Sequence, residues 1–582
     1  MKPRFLLSLR GFVLAGTAPL HGQDSLIVLD PGAPAGDSVL ATGLPANILH
    51  EVLLRFNDSA TTRLTGDFTL PAGSRLGGAF GAHRGTIRIH GTVQGPITVV
   101  NGDLVLGPTA RVTGDILLVG GRLSLAEGAV VERGTREFPA EAPVSRGSNG
   151  TLVEREPGRS LEDLAAAQAT FAKGDTRATL RLATAGTYNR VEGLPIVFGP
   201  RLEWQPAPDV YTRFDAMGVL RTAGNDADLL SDLGFNGRAE ARFGRPWRLR
   251  LVGEGYSRVE SISEYDLSAS ETGWYAILAQ RDYRDYFDAR GGGLTATFAV
   301  ARQLRIEAGG RLERERTILA NDPFSLFNNE DSWRPNPLID DGEYLTWRLG
   351  VEVDTRPSSE LPTTGVFARV GAEFTSGSDV APVDLPTTVR DPLPTDGSYA
   401  FSRASMDLRG YYRLDRRHTL GGRFLADGWL GGDPLSLQRR VALGGPGLLP
   451  GYAFRAFDCS AESGHVDPAK PALCDRMMLA QGELRRRFRL GLTHRIADAE
   501  REGVDRVVGI EEADFVVFAD LGTAWLAGDG PGRVPTDRVP SLSDWHADLG
   551  VGLATGGLGI YLAKALEEGE PVRLSIRLRR RF

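Results

Sequence analysis

Over its C-terminal part the chain alternates apolar and polar residues with a period of two, which predicts β-strands. Residues 303–316 (QLRIEAGGRLERER) show this alternation, with the charged side chains of both signs on one face. The apolar face holds Leu304, Ile306, Ala308 and Leu312. About sixteen such segments, each roughly ten residues long and bounded by turn-forming residues, follow one another in residues 176–582. We therefore predict an all-β fold for this region.

Two architectures suit strands of this kind, a soluble sandwich with its apolar faces inward and a membrane barrel with its apolar face outward. The number of strands and the mixture of charges on one face favour a transmembrane β-barrel of about sixteen strands, even in number as bacterial barrels require. The last segment, residues 571–582 (PVRLSIRLRRRF), alternates in the same way. Its apolar face carries Val572, Leu574, Ile576, Leu578 and Phe582, interrupted by Arg580. We expect Phe582 to act as a C-terminal assembly signal of the outer-membrane type, with a soluble edge strand as the alternative.

An internal repeat precedes the predicted barrel. Residues 95–113 and 114–132 align so that apolar and glycine positions coincide, and residues 66–78 follow the same template. The matched pairs are Ile97 with Ile116, Gly102 with Gly121, Leu104 with Leu123 and Leu106 with Leu125. Short alternating segments that turn at glycine and recur in this way predict a β-solenoid over residues 61–135. The segment resembles the bactofilin-like β-helix family. We expect a spacer or cap without a ligand, with a scaffold for self-association or cell-wall contact as the alternative.

The remaining N-terminal residues divide into three segments. Basic residues around an apolar stretch predict a signal peptide over residues 1–23. Residues 24–135 then form a periplasmic domain, in which residues 45–56 are expected to be helical before the solenoid begins. Residues 136–175 are expected to form a linker, with one helix possible in residues 159–174.

Composition and motifs exclude several functions. The net charge is −7, which gives no indication of nucleic-acid binding. Hydrophobic residues make up 41% of the chain, and no apolar run is long enough for a membrane-spanning helix. The eight histidines are scattered without metal-binding spacing, and no serine-hydrolase motif occurs. We therefore expect neither an enzyme nor a metal or other cofactor.

The chain has two cysteines, Cys459 and Cys474. In an exported protein, two cysteines in one loop favour a disulfide over free thiols. Closing a loop of about 15 residues contributes roughly 3 kcal/mol in the chain-entropy model.

The residues before the first cysteine, 443–457 (LGGPGLLPGYAFRAF), are too rich in glycine and proline for a regular element and too aromatic for an idle linker. They follow the eleventh predicted strand, so they form the sixth loop at the outer side. Residues 477–488 and 514–525 are the twelfth and thirteenth strands.

In this order and spacing, the C-terminal 400 or so residues resemble the BamA/TamA superfamily of outer-membrane proteins. The resemblance implies a sixteen-stranded barrel whose sixth loop folds into the lumen and contacts an F-x-D-x-G strand. The matching loop positions are Gly444, Gly445, Gly451 and Tyr452, and the matching strand positions are Phe518, Asp520 and Gly522. A D-x-R…P-x-x-G hairpin is matched by Asp354, Arg356, Pro362 and Gly365, and the acidic position of the twelfth strand by Glu483.

Two departures from the family pattern affect what the resemblance implies. Pro450 stands where the family has the arginine of the loop tip, so the usual arginine–aspartate pair is missing. We expect Arg455 to replace that arginine as the partner of Asp520. The family's periplasmic POTRA modules have no counterpart in residues 24–175.

The resemblance implies an insertase or translocase for protein or lipid in the outer membrane of a diderm bacterium. Unfolded outer-membrane or secreted proteins would be its clients, and outer-membrane lipid its surroundings. A passive pore or an envelope-anchoring barrel is the alternative.

Overall fold

The computed structural model describes most of the chain from residue 46 onward. The described residues are 46–138, 142, 144–146, 150–154, 167–173, 176–184, 188–207, 210–223, 233–244, 248–263, 265–301, 303–327, 332–356, 362–394, 398–415, 417–459, 473–497, 505–555 and 558–582. The predicted signal peptide, residues 1–23, lies outside them.

The N-terminal domain is a β-solenoid of short parallel strands with one helix packed against it. Its elements are α1 (Ala46–Asn57), β1 (Thr62–Thr65), β2 (Phe68–Leu70), β3 (Arg75–Gly77), β4 (Phe80–Ile89), β5 (Thr92–Gln94), β6 (Ile97–Leu106), β7 (Arg111–Val112), β8 (Ile116–Val119), β9 (Leu123–Leu125), β10 (Val130–Val131) and β11 (Thr135–Phe138). The strands stack in parallel as two sheets, and their inward apolar residues form one continuous core. The predicted solenoid is confirmed.

The register of the coils follows the sequence repeat. Ile97 pairs with Ile116, and Leu104 pairs with Leu123. A side chain at Gly121 would lie 1.9 Å from the carbonyl oxygen of Gly102, so glycine stacks on glycine where the coil turns. The predicted helix is α1, and its apolar face packs on the solenoid beside β6 and β8.

The residues predicted to be a linker contain strands. A small hairpin, β12 (Val144–Arg146) and β13 (Leu152–Glu154), follows the solenoid. The expectation of a helix in residues 159–174 is wrong for its described part, because β14 (Ala167–Lys173) is a strand that pairs with the next one. The alternating residues of that strand fit a pleated surface as well as a helix, and strand pairing decides between them.

A single large sheet forms the rest of the molecule. After β14 its strands are β15 (Thr176–Thr184), β16 (Ile196–Ala207), β17 (Val210–Leu220), β18 (Leu233–Phe243), β19 (Leu249–Ser261), β20 (Tyr286–Ala301), β21 (Leu304–Thr317), β22 (Asp341–Asp354), β23 (Gly365–Ala381), β24 (Ala400–Arg413), β25 (His418–Gly432), β26 (Arg476–Ala497), β27 (Asp505–Ala527), β28 (Arg533–Val534), β29 (His546–Thr555), β30 (Leu558–Ala565) and β31 (Arg573–Arg577). The helix α2 (Ala269–Ala279) lies between β19 and β20.

The sheet has eighteen strands, of which β14 is added in front and β28 is a short parallel addition to β27. The others, from β15 to β31, are antiparallel neighbours in chain order and correspond to the sixteen strands predicted from the alternation. The fold is therefore a transmembrane β-barrel preceded by a β-solenoid. Among the described residues no helix is both long and apolar enough to span a membrane.

The two faces of the sheet have opposite character. Large apolar side chains stand exposed on the outside, for example Leu312 at 59% and Trp347 at 57%. Further members of this outer belt are Leu180, Leu202, Phe214, Phe235, Leu251, Leu294, Ile306, Phe374, Leu420, Val517 and Ile560. The inner face is charged and buried, and its arginines pair with carboxylates of neighbouring strands. A barrel with this outer belt places its apolar surface against lipid.

The solenoid lies against one end of the barrel, at the short turns between strands. The Arg84 guanidinium lies 3.2 Å from the Glu512 carboxylate, and that of Arg413 lies 3.4 Å from Asp67. Arg122 also donates to the backbone carbonyl of Arg356. We call this end the solenoid end. The longer connections lie at the opposite end, the loop end, as the described parts of residues 262–285, 318–340 and 433–475 show.

Candidate functional site: the filled lumen and the edge of the last strand

The loop between β25 and β26 folds into the lumen, as the resemblance implies. Its apolar residues Leu443, Leu448 and Tyr452 are at most 2% exposed and pack with Leu479 of β26. Gln481 donates from its side-chain amide to the carbonyl of Leu448, which ties the loop to the inner wall. The described part of this loop therefore occupies space that would otherwise be an aqueous channel.

The glycines predicted for this loop each have a steric cause. Gly444 and Gly445 have φ of +118° and +95°, a region that residues with a Cβ rarely adopt. A side chain on Gly451 would lie 2.6 Å from the Cβ of Asp548 in β29. The Gly451 N–H donates to the Asp548 carboxylate at 2.6 Å. Close approach of loop and wall therefore requires glycine at the tip.

Aromatic residues complete the contact between the loop and the wall. The Tyr452 hydroxyl donates to the carbonyl of Ala547 at 3.0 Å, and its ring packs edge-on against Phe457. Phe457 stacks on the ring of His546 with centroids 3.5 Å apart. Cys459 and Cys474 form a disulfide at the base of this segment.

The F-x-D-x-G strand is β27, and of its three predicted residues one, Gly522, lies against the sixth loop. Gly522 faces the side chain of Leu443, so the sixth loop does contact this strand. Phe518 packs edge-on against Tyr561 of β30. Asp520 is 2% exposed and points into the lumen.

The expectation that Arg455 pairs with Asp520 is wrong. Arg455 has a φ of +56° and forms an ion pair with Asp285, close to Arg334 and Arg190 at the loop end. Asp520 instead pairs with Arg581. The cause is geometric, because the loop turns back at Gly451 and carries Arg455 away from β27.

The end of the chain enters the lumen, which corrects a second expectation. β31 ends at Arg577, and Phe582 lies inside the barrel, 6% exposed, with its ring centroid 6.5 Å from that of Tyr411. Phe582 therefore does not share the outer face of Val572, Leu574 and Ile576. Apolar and polar residues continue to alternate in the sequence after Arg577, although β31 ends there and the following residues turn into the lumen.

Glu483 of β26 is buried between two arginines. Arg485 donates to both of its carboxylate oxygens, and Arg580 donates to one of them from Nε and Nη2 at 3.2 Å and 3.1 Å. Arg580 also donates to the carbonyl of Pro362 at 2.6 Å. Glu483, at the predicted acidic position, is therefore paired with arginines of the same chain.

The D-x-R hairpin lies at the solenoid end of the barrel, where Arg122 of the solenoid donates to the carbonyl of Arg356. The Arg356 guanidinium donates to both oxygens of Asp354 at 3.0 Å and lies over the ring of Phe367. Gly365 has a φ of +98°, which the turn into β23 requires. With Pro362 bonded to Arg580, this hairpin and the end of the chain are held together.

The edge of the last strand is covered by α2. The Tyr275 hydroxyl donates to the carbonyl of Ile576 at 3.0 Å and accepts from its N–H. Glu271, 1% exposed, accepts from the Arg577 guanidinium at 2.8 Å and from the Leu578 N–H at 2.9 Å. Side chains of a helix therefore satisfy backbone groups that a neighbouring strand would otherwise bond.

No hydrogen-bonded ladder joins β31 to β14 or β15 within the part of the chain that the structure describes. We call this break in the wall the seam. The contacts that reach β31 across it come from Tyr275 and Glu271 of α2. Neighbouring loops hold this helix at the loop end, where the Leu326 N–H donates to the carbonyl of Ile277 of α2 at 2.7 Å. The seam is therefore covered on its β31 side by α2.

Sequence reasoning missed α2 and the inward-pointing end of the chain. The signal for α2 was present, because Ser268 and Glu271 form the S-x-x-E capping box in which each side chain bonds the other's backbone. Arg580 and Arg581 carried no comparable signal, since their partners are distant in the sequence.

No family model and no curated protein matches the chain. Among solved structures, BamA from Haemophilus ducreyi lacking POTRA domains 1–3 is 13% identical, with 71% of this chain and 74% of that chain covered and a TM-score of 0.40. CdiB from Acinetobacter baumannii is 10% identical, with coverage of 71% and 65% and a TM-score of 0.30. OccK11 from Pseudomonas aeruginosa is 11% identical, with coverage of 71% and 90% and a TM-score of 0.25. Similarity this remote adds nothing to the contacts described above, on which the functional proposal rests.

Proposed function

We propose that this chain is an outer-membrane barrel that assists the insertion or translocation of protein or lipid at its seam. The observation that carries the proposal is the edge of β31, which pairs with no strand in the described residues and whose backbone groups at Ile576 are bonded by Tyr275 of α2. A free strand edge is a template for an incoming extended segment, which it binds by main-chain hydrogen bonds.

A helix is a replaceable cover for such an edge. Tyr275 and Glu271 satisfy groups of Ile576, Arg577 and Leu578, whereas a paired strand would satisfy the edge along its whole length. An unfolded outer-membrane or secreted protein would displace α2 and pair with β31. The apolar outer belt would meanwhile hold the barrel in outer-membrane lipid.

The filled lumen argues against a passive pore. The described part of residues 433–475 is buried against the inner wall, and α2 adds a further layer near β31. In this proposal the solenoid lies in the periplasm, where it could hold a client close to the barrel or associate with a second solenoid. An envelope-anchoring role for the solenoid is compatible with its ion pairs to the solenoid end.

Locking α2 onto the last strand tests this proposal. In a Tyr275→Cys/Ile576→Cys variant, a short bis-maleimide joins the two positions while the native disulfide stays intact. The variant is reconstituted in liposomes, and a urea-unfolded small outer-membrane barrel is added as the probe. Its folding is followed by the gel-mobility shift of the folded form. We expect folding to be faster than in empty liposomes before cross-linking and to fall to the empty-liposome rate afterwards.

A matched control uses the same chemistry away from the seam. Trp347 and Phe374 are paired across β22 and β23 and are both exposed on the outer face. Cross-linking a Trp347→Cys/Phe374→Cys variant should leave the rate unchanged. Equal rates in the locked seam variant and this control would contradict a role for the edge of β31.

A further inference from the structure

We propose that the lumen contains a peptide-binding site for a basic–aromatic segment, and that the chain's own residues 580–582 occupy it. We call this site the seat. It is formed by Glu483, Asp520, Phe518, Tyr411 and Gly421. The inference does not depend on the proposed insertase function, because it concerns what the inner wall binds.

The first part of the seat binds Arg581. Its guanidinium pairs with Asp520 and lies 3.7 Å from the centroid of the Phe518 ring. Arg581 and Asp520 are 6% and 2% exposed. A guanidinium that meets a carboxylate and an aromatic face together is held by a charge-assisted hydrogen bond and a cation–π contact.

The inner wall needs a cation beside Asp520. Asp520 of β27 is directly opposite Asp548 of β29, and both are buried. Like charges that face each other across two strands are destabilising, and an unpaired buried carboxylate is costly. Asp548 accepts from the Gly451 N–H, whereas Arg581 supplies the charge that the pair requires.

The second part of the seat binds Arg580 and Phe582. Arg580 bonds Glu483 and lies over the ring of Tyr411, with 5.1 Å to the ring centroid. The ring of Phe582 lies beside Tyr411 and over Gly421, where an added Cβ would be 3.5 Å from it. Glycine at position 421 leaves room for that aromatic ring.

These contacts specify the ligand class. Two carboxylates on neighbouring strands match two consecutive arginines, and the space over Gly421 matches a following aromatic ring. None of residues 578–582 belongs to a strand, so the seat binds them as a peptide and not as part of the sheet. A separate peptide with the sequence of residues 578–582 should therefore compete for the same site.

Binding of a fluorescein-labelled LRRRF peptide to the detergent-folded full chain tests the seat. An Arg580→Ala/Arg581→Ala variant should bind the peptide saturably, and the wild type at least tenfold more weakly because its own residues compete. Adding Asp520→Asn to the variant should weaken binding by roughly tenfold or more, since it removes a charged hydrogen-bond partner. Adding Asp537→Asn, which changes the same charge on an exposed loop residue, should have no effect. An LKKKF peptide should bind more weakly than LRRRF.

A second measurement needs no variant and covers the case in which the double substitution fails to fold. Hydrogen exchange at residues 578–582 of the wild type is measured with and without a large excess of unlabelled LRRRF. Faster exchange with LRRRF, but not with LKKKF, is expected if the free peptide displaces the chain's own segment. Unchanged exchange, or equal peptide binding by wild type, double variant and Asp520→Asn variant, would overturn the proposal.

Discussion

At the residue scale, steric contacts determine where the loop and the wall can meet. The tip of the sixth loop comes so close to β29 that Gly451 has no room for a side chain, because Asp548 and Ala565 fill the space. Pro450, which stands in place of an arginine, precedes a backbone N–H that bonds Asp548 directly. The loop is therefore anchored by main-chain contact rather than by a charged side chain.

Gly451→Ala should destabilise the folded barrel. The added methyl group would lie 2.6 Å from the Cβ of Asp548, and overpacking of this kind costs about 1–3 kcal/mol. Thermal unfolding followed by gel mobility should show a lower midpoint for this variant. Gly410→Ala in β24 is the control, because an added Cβ there meets nothing within 4 Å. A midpoint equal to that of the control would show that the tip is not packed as described.

The sequence indicates which acidic residues matter but not what pairs with them. Asp520 and Glu483 are identified by motif and period, and both are buried in the lumen. Their partners Arg581 and Arg580 are read from the sequence as a continuing strand, since alternation persists after Arg577. A buried carboxylate requires a cation, but the chain folding in three dimensions decides which one reaches it.

At the element scale, a helix takes the place of a strand at the edge of the sheet. α2 begins at a capping box and turns Glu271 and Tyr275 toward β31. The same helix carries the exposed apolar residues Trp274 and Leu278. It therefore covers hydrogen-bonding groups of β31 and leaves part of its own apolar surface exposed.

Tyr275→Phe should loosen this cover without removing the helix. The variant loses the hydroxyl that bonds both backbone groups of Ile576, so amide exchange in β31 should become faster than in the wild type. Tyr412→Phe is the matched control, because Tyr412 is 66% exposed on the outer surface. Identical exchange in β31 for wild type and Tyr275→Phe would mean that α2 does not protect the edge.

The solenoid shows how far a repeat can predict an element. Its coils stack as the aligned repeats indicate, because residues at equal positions must fill the same layer of one core. The lengths of β26 and β27 could not be predicted from a repeat. Both strands continue well beyond the roughly ten residues of a typical membrane strand. α2 was overlooked because its capping signal stands alone between two strands.

An ion pair joins α1 to the last coil and gives the solenoid a pH dependence. The Arg136 guanidinium, hydrogen-bonded to Glu51, lowers the pKa of that carboxyl. The pair therefore stabilises the fold above the carboxyl's ordinary pKa of about 4.5, and this contribution is lost as the pH falls. Both side chains are partly exposed, so less than about 1 kcal/mol is expected.

Glu51→Gln tests this pair. Exchange of the α1 amides in the full chain should be faster in the variant than in the wild type at pH 7, and the difference should be smaller at pH 3.5. Glu137→Gln, an exposed position on β11, should match the wild type at both values. A variant effect that is as large at pH 3.5 as at pH 7 would contradict the electrostatic explanation.

At the scale of the whole molecule, the barrel is filled inside, and its wall has a seam that α2 covers on the β31 side. The described part of the sixth loop and residues 580–582 occupy the lumen, and the seam has no strand ladder in the described residues. The solenoid lies across the solenoid end through ion pairs with strand turns. Activity is therefore expected at the edge of the wall and not through the lumen.

Single-channel conductance of the refolded full chain in planar bilayers tests this central claim most directly. Wild type is compared with a variant in which residues 443–457 are replaced by a glycine–serine linker of equal length. A filled lumen predicts a small, flickering conductance in the wild type that increases when the loop is replaced. A large, steady conductance that is the same in both would show that the loop does not close the lumen, and the barrel would then be a pore.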